Sequence, residues 1–156
     1  VLSPGEADCI AIAGMGASTI ISILDDDMEV AQSAKLLVLQ PMAGAASLRA
    51  WLCSHGWQLA AEELVDDAPH FYEIIAAKRG LAPVYSAAEC AVGPLLLAQE
   101  HPLLGKQLER QLATCRQLLE NMGRSERARA SEKYKEIEAL KAELEVLQNG
   151  KRSDSK

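Results

Sequence analysis

The hydrophobic pattern of the chain opens on a short apolar run, Cys9-Ile10-Ala11-Ile12-Ala13, which ends at Gly14. Because the run is apolar at successive positions, it predicts a strand that is buried between two layers of helices. Gly14 and Gly16 flank Met15, and since glycine accepts positive φ, the pair predicts a tight turn at the end of the strand. Residues 17–24 then carry apolar positions at helical spacing, which predicts a helix packed against the sheet.

The alternation of strand and helix continues along the first half of the chain. Residues 35–39 predict a second buried strand that ends in Gln40-Pro41-Met42, and residues 45–55 predict the next helix. Two apolar strands joined through a helix predict a parallel pair. Residues 57–65 and 71–78 read as strands joined by a short turn, which predicts an antiparallel hairpin at the end of the sheet. A parallel sheet finished by such a hairpin is typical of class I methyltransferases.

The second half of the chain has a helical pattern. Residues 81–102 predict a connecting segment with a short helix after Gly93-Pro94. Apolar residues recur at intervals of three or four over residues 104–122 and of seven over residues 130–147. The short link Gly123-Arg124-Ser125 predicts that the two helices form an antiparallel hairpin, which we interpret as a coiled coil.

The predicted organisation is α/β, with a sheet followed by a helical hairpin, and the likeness to class I methyltransferases implies that this is a partial Rossmann-like sheet. Four segments are expected: a part that resembles the carboxyl-terminal part of a Rossmann-like methyltransferase domain, a connecting segment, a coiled-coil hairpin and a disordered polar tail, over residues 1–80, 81–102, 103–149 and 150–156.

Charge is divided unevenly between the halves. Residues 1–80 hold 4 basic and 11 acidic side chains, whereas residues 81–156 hold 12 basic and 11 acidic ones. The mixed charge of the second half suits exposed helices. No apolar run is long enough to cross a membrane, and no basic segment followed by an apolar one suggests export, so we expect a cytoplasmic protein. The 4 cysteines are scattered, which predicts free buried thiols and neither a disulfide framework nor a metal site.

Candidate chemistry lies where the first two strands end. Ligands of open α/β sheets bind outside the carboxyl ends of the strands, so Gly14-Met15-Gly16 and Gln40-Pro41-Met42 are candidate binding loops. The alternative is that the first loop is only a turn and that Gln40-Pro41 only ends a strand. No convincing acid–base dyad is present, and no catalytic side chain is predicted.

Several motifs in a fixed order carry a family resemblance over residues 2–122. They are Ala13-Gly14-Met15-Gly16, Leu39-Gln40-Pro41, Leu48-Arg49-x-Trp51-Leu52, Phe71-Tyr72-Glu73-Ile74-Ile75, Gly93-Pro94-Leu95-Leu96 and the helical hairpin. Together they resemble the bacterial tRNA (adenine-22-N1)-methyltransferase family. The resemblance implies a Rossmann-like domain that binds S-adenosylmethionine, followed by a coiled coil that helps to hold tRNA. The sequence departs from the family in Ala17, where glycine is usual, and in Met42, where asparagine is frequent.

The resemblance also implies roles for particular residues. Ala13, Gly14, Met15 and Gly16 would lie beside the methyl donor. Gln40, Pro41 and Met42 would line the pocket for the target base. Arg124, Arg127 and Arg129, at the tip of the hairpin, would contact tRNA phosphates, although mixed charge on exposed helices is also simply solvated. Since the attacking ring nitrogen of adenine carries a lone pair and no proton, no general base is required.

The family's amino-terminal third, with the loop that grips the methyl donor, has no counterpart in this sequence. We therefore expect the first strand to be an open edge, and the chain to be part of a longer protein or to form a homodimer through that edge or the coiled coil. Catalysis by the chain alone is not expected. Two alternatives stay open: a methyltransferase for a non-RNA substrate, and a non-catalytic coiled-coil interaction module.

Overall fold

The computed structural model describes residues 2–154, with side chains described for residues 2–150. The chain divides into two compact units, Val1–Gln99 and Glu100–Lys156. The strands of the first unit are β1 (Cys9–Met15), β2 (Leu36–Pro41), β3 (Trp57–Asp67) and β4 (His70–Arg79). Its helices are α1 (Ala17–Asp26), α2 (Met28–Ser33), α3 (Ala45–Ser54), α4 (Ala87–Val92) and α5 (Pro94–Ala98). The second unit holds α6 (Leu104–Gly123), α7 (Glu126–Arg129) and α8 (Glu132–Asp154).

The four strands form one mixed sheet in the order β1-β2-β4-β3. β1 and β2 are parallel, with Ile12 opposite Leu39. β4 runs antiparallel to both of its neighbours, β2 and β3. The predicted α/β class and the parallel pair closed by an antiparallel hairpin are therefore confirmed. The pattern did not indicate that the second strand of the hairpin, β4, would be the one bonded to β2.

The core of the first unit lies between one face of the sheet and helices α1 to α3. Alternate strand positions supply that face because side chains of a strand point to opposite sides in turn. The buried strand residues of this core are Ile12, Leu37, Leu39, Trp57, Leu59, Ile75 and Ala77, and the helices contribute Ile20, Leu24, Leu48 and Leu52 among others. Fully burying an aliphatic side chain of this size contributes about 1.5–3 kcal/mol. This one-sided core holds the carboxyl ends of β1 and β2 in place.

The prediction that β1 is buried on both faces is wrong for the described chain. Its Ile12 is buried, but Cys9, Ala11 and Ala13 are exposed among the described residues. The physical reason is that β1 bonds only to β2 and that helices α1 to α3 cover a single face. The prediction that β1 forms a sheet edge agrees with the strand order.

Helix α4 lies in a segment that was predicted as a connection. It begins with a capping box, in which the Ser86 hydroxyl accepts the backbone N–H of Glu89 at 3.1 Å and the Glu89 carboxylate accepts that of Ser86 at 2.7 Å. The spacing Ser86-x-x-Glu89 is a sequence signal for this arrangement, so the helix could have been predicted.

The second unit differs from its prediction at the link and at the end. Residues 124–131 contain the short helix α7, so the link is longer than Gly123-Arg124-Ser125. Helix α8 passes through Gly150 to Asp154, so the helix does not stop at Asn149-Gly150 as predicted. A single glycine costs a helix only about 1 kcal/mol and need not end it. The predicted disorder of the polar tail stays a prediction. Ser155 and Lys156 lie outside the described residues.

Helices α6 and α8 pack against each other. Leu108 and Leu112 of α6, and Ile137 and Leu144 of α8, are buried. The coiled-coil geometry of the pair and the predicted domain boundaries stay predictions. Across the residues that the structure describes, no helix is both long enough and apolar enough to span a membrane.

Candidate functional site

The carboxyl ends of β1 and β2 lie side by side, at the same end of the two parallel strands. Ala13 is opposite Gln40 and Met15 is opposite Pro41, with a register shift at Gly14 between them. Gly14 has a φ of +75°, and no atom lies within 4 Å of the position that a Cβ would occupy. Glycine is therefore needed here for its backbone conformation. The same observation shows that the backbone at Gly14 is open to a ligand.

The side chain of Gln40 is held by the neighbouring loop. Its Oε1 accepts the backbone N–H of Gly14 at 2.9 Å, and its Nε2 lies 3.6 Å from the sulfur of Met42. The amide group is thus oriented before any ligand binds. Nε2 carries two hydrogens, so it retains donor capacity for a ligand.

Backbone contacts brace the two loops against each other. The N–H of Met42 donates to the carbonyl of Met15 at 2.8 Å, and the N–H of Ala17 donates to the carbonyl of Ala43 at 2.9 Å. Gly44 has a φ of +79°, and a Cβ on it would lie 3.0 Å from the Cβ of Ala17. With alanine at position 17, the close approach of the loops therefore requires glycine at position 44.

The surface of this edge combines apolar side chains with exposed backbone. Met15 is 41% exposed and Met42 is 57% exposed, whereas Pro41 is buried. Thioether side chains are polarizable and adapt to flat partners. The structure thus brings together the two predicted loops, residues 13–16 and 40–42, into one partly apolar, partly exposed surface. No titratable side chain lies within these two loops.

A buried ion cluster lies between helix α3 and strands β3 and β4 of the same sheet. Arg49, which has no exposed surface, donates from Nε to Glu62 at 2.5 Å, from Nη2 to Glu73 at 2.8 Å and from Nη1 to the carbonyl of Cys90 at 2.9 Å. Glu62 also accepts the backbone N–H of Leu95 at 2.8 Å. The cluster joins α3 to β3, β4, α4 and α5. Burial alone would lower the pKa of Arg49, but the two carboxylates outweigh it and hold that pKa above its ordinary value.

The sequence pattern did not indicate this cluster. Arg49 belongs to one of the motifs that carry the family resemblance, but nothing in the spacing of Arg49, Glu62 and Glu73 shows that they meet. The sequence signal is weak because charged residues in α/β domains are mostly exposed.

The arginines predicted to contact tRNA lie in the second unit. Arg124 is near Glu120 at 4.0 Å, with both side chains largely exposed. Arg127 and Arg129 are exposed and form no ion pair with any described residue. By contrast, Lys133 and Lys135 each lie within 4.0 Å of a carboxylate on their own helix, Glu136 or Glu132. Arg127 and Arg129 are therefore free to bind an anion.

A cavity lies between α3, residues 82–85 and α4. It has a volume of about 250 Å³ and mostly apolar walls, and the thiols of Cys53 and Cys90 line it. Burial raises the pKa of both thiols, so they stay protonated and weakly nucleophilic at neutral pH. Among the residues whose side chains are described, no group of three or more His, Cys, Asp or Glu side chains could hold a metal ion.

Comparison with known proteins adds to this geometry. The family model described as tRNA (adenine(22)-N(1))-methyltransferase matches residues 1–149. A Bacillus subtilis (strain 168) tRNA (adenine(22)-N(1))-methyltransferase is 27% identical over an alignment of 152 residues, and the match covers 94% of this chain and 63% of the relative. The chain thus spans less than two thirds of the length of that curated relative.

Solved structures with the same fold include two that bear on the site. The crystal structure of the B. subtilis m1A22 tRNA methyltransferase matches with a TM-score of 0.80 and 26% identity, over 95% of this chain and 66% of that one. A Streptococcus pneumoniae protein, described as a candidate tRNA (m1A22) methyltransferase and solved in complex with S-adenosyl-L-methionine, matches with a TM-score of 0.72 and 26% identity. This match covers 90% of this chain and 60% of that one.

Proposed function

The chain belongs to the tRNA (adenine(22)-N(1))-methyltransferase family, and we propose that the protein to which it contributes methylates N1 of an adenine in tRNA. The observation that carries the proposal is the family match, which extends through both units from residue 1 to residue 149. The adenine at position 22 is the target by family membership. The methyl donor is S-adenosylmethionine, as in the S. pneumoniae structure.

The donor supplies a methyl group on a positively charged sulfur. The lone pair of adenine N1 forms the new N–C bond, the S–C bond breaks, and its electron pair stays on sulfur. The positive charge passes to the methylated base. Because N1 of neutral adenine has no proton, no side chain has to remove one, which agrees with the lack of a titratable group in the two loops.

The chain's own residues act by orientation in this proposal. Residues 13–16 lie beside the donor, where the open backbone at Gly14 leaves room for it. Gln40 and Met42 line the pocket for the base, and the buried Pro41 contributes backbone. The remaining hydrogen of Gln40 Nε2 donates to a ring nitrogen other than N1, since a donor on N1 would occupy the attacking lone pair. Holding two reactants in line is worth several kcal/mol of the barrier, on the order of 7–11 kcal/mol in the best cases.

Arg124, Arg127 and Arg129 contact tRNA phosphates in this proposal. Support comes from the lack of an ion pair for Arg127 and Arg129 among the described residues, and from their proximity along the chain. Recognition by such contacts depends on the shape of the RNA and on salt, because phosphate binding releases counterions. The predicted homodimer and the cytoplasmic location stay predictions.

The test is methylation of a tRNA transcript by the protein at its natural full length. We expect methyl transfer from S-adenosylmethionine to adenine 22, detected as N1-methyladenosine by mass spectrometry of nuclease digests, and none in a transcript with guanine 22. Donor binding without methylation of any tRNA would indicate a different substrate. A stable dimer that binds no donor would indicate an interaction module.

The arginine contacts are tested by Arg127→Gln/Arg129→Gln, with Lys133→Gln/Lys135→Gln as the matched control. The first pair should weaken tRNA binding and reduce the slope of log K against log[salt] by about 0.7–0.9 for each phosphate that is no longer bound. The control should change the slope little, because each lysine has a carboxylate neighbour. Equal slopes in the two double variants would overturn the assignment.

A further inference from the structure

The β3–β4 hairpin extends past the end of β2. β2 and β4 pair from Leu37 opposite Ala77 to Leu39 opposite Ile75, whereas β3 and β4 stay paired as far as Asp67 opposite His70. β4 is antiparallel to β2, so the turn of the hairpin lies at the same edge of the sheet as Gln40 and Gly14. At about 3.4 Å per residue, His70 extends about 10 Å beyond the level of Pro41.

Two aromatic rings occupy one face of this extension. The rings of His70 and Tyr72 have centroids 5.8 Å apart at an interplanar angle of 33°. His70 is exposed and Tyr72 is half-buried. Strand side chains alternate, and Ile75 points into the helix-covered core, so Tyr72 and His70 point to the other face. Gln40 points to that face as well, because its neighbour Leu39 points into the core.

The register places this ring pair next to the candidate base pocket. The last β2–β4 pair is Leu39 opposite Ile75. If the same spacing is continued, Gln40 falls level with Ile74, and Met42, the first residue after β2, falls level with Tyr72. Residues on neighbouring strands of one face lie about 5–8 Å apart, within reach of an aromatic side chain. Met42 is also one of the most exposed large apolar residues of the first unit.

The chemistry of the hairpin favours a base over a phosphate. Asp66 and Asp67 end β3 opposite Phe71 and His70, and Val65, opposite Tyr72, is 40% exposed and apolar. Carboxylates repel a phosphate backbone, whereas aromatic rings stack on any nucleobase through its π-face. A nucleotide whose base is turned out of the RNA helix would meet the rings while its phosphates lie elsewhere.

We propose that Tyr72 and His70 form a stacking surface for a nucleobase of the bound tRNA, adjacent to the pocket at Gln40 and Met42. The proposal rests on the proposed function, since it names a further interaction with the same substrate. The ring pair positions RNA and takes no part in bond formation. It therefore affects tRNA binding and leaves donor binding unchanged.

The experiment compares Tyr72→Leu and His70→Ala with a matched aromatic control in the full-length protein. Tyr72→Leu removes the ring and keeps an apolar side chain opposite Val65, and Tyr72→Phe keeps the ring. The control is His55→Ala, because His55 also belongs to an aromatic pair, with its ring centroid 4.3 Å from that of Trp51. His55 precedes the Trp57–Arg79 pair, which lies at the end of the β3–β4 hairpin farthest from the turn. The measured quantities are the Kd for tRNA, the Kd for S-adenosylmethionine, and the melting temperature.

Loss of one stacked base should raise the Kd for tRNA about tenfold in Tyr72→Leu. Tyr72→Phe and His55→Ala should match the wild type, and the donor Kd should be equal in all variants. A tRNA with 2-aminopurine at a nucleotide next to position 22 should lose fluorescence on binding to the wild type and less of it on binding to Tyr72→Leu, since stacking quenches this base.

Unchanged tRNA affinity in both Tyr72→Leu and His70→Ala would overturn the proposal, as would a lower melting temperature in Tyr72→Leu with no change in tRNA Kd. A wild-type protein that methylates tRNA while these variants bind tRNA normally would refute only the stacking surface. A wild-type protein that methylates no tRNA would refute the proposed function first, and with it the stacking surface.

Discussion

Replacing Arg49 with methionine tests how much the buried ion cluster stabilises the first unit. Methionine keeps the length of the side chain and removes all three donors, which leaves Glu62 and Glu73 without their cation and the Cys90 carbonyl without a partner. Removing one partner of a buried ion pair costs about 3–5 kcal/mol. A domain of this size has only about 5–15 kcal/mol of stability, so the loss is a large fraction of it.

The assay is urea unfolding followed by tryptophan fluorescence, because both tryptophans, Trp51 and Trp57, lie in the first unit. With a slope of about 2 kcal/mol per M, the expected loss lowers the midpoint by about 2 M. Lys35→Met is the control, since the ion pair of Lys35 with Asp8 is largely exposed, and its midpoint should equal that of the wild type.

A second substitution separates the loss of charge balance from the loss of packing. Arg49→Met/Glu62→Gln removes a buried negative charge and keeps an acceptor for the Leu95 N–H, so it should be more stable than Arg49→Met alone. A loss below about 1 kcal/mol for Arg49→Met, or a double variant less stable than the single one, would refute the view that an uncompensated buried charge causes the destabilisation.

Two further predictions concern backbone conformation and ionisation. Gly93→Ala should strongly lower the urea midpoint, because φ is +110° there and a Cβ would lie 2.5 Å from the side chain of Leu96. Gly105→Ala in α6 should instead stabilise its helix by about 0.5–1 kcal/mol, because no atom lies within 4 Å of the added Cβ. Equal effects of the two substitutions on stability would contradict this reasoning. Burial raises the pKa of three thiols, so they keep their protons when the unfolded thiols, with pKa about 8.5, ionise, and stability should fall as pH rises from 8 to 10. The three thiols belong to Cys53, Cys90 and Cys115. Replacing all three by alanine should reduce the loss of unfolding free energy between pH 8 and 10, measured by urea titration at each pH. An unchanged dependence of that free energy on pH would rule out the thiols as its cause.

Local patterns in the sequence predicted most of the elements. The apolar run that ends at Gly14 and the second run that ends at Gln40 predicted β1 and β2 and the edge where the candidate loops meet. These predictions succeed because strand and helix periodicity, and the positive φ of glycine, depend on neighbouring residues alone. The capping box at Ser86 and Glu89 is an equally local signal for α4. The continuation of α8 through Gly150 shows the weakness of a one-residue signal, since a single glycine costs a long helix little.

Tertiary structure alone decided which residues meet. The amide of Gln40 on the N–H of Gly14, the methyl of Ala17 against Gly44, and Arg49 between Glu62 and Glu73 join positions that are 13 to 27 residues apart. The length of the β3–β4 hairpin likewise carries Tyr72 beyond the last β2–β4 pair, Leu39 opposite Ile75. Such contacts depend on strand order and register, which are set by how the whole core packs, and no short stretch of sequence encodes them. The sequence by itself therefore determined most of the elements and the family, and the packed sheet decided the geometry through which the proposed site would act.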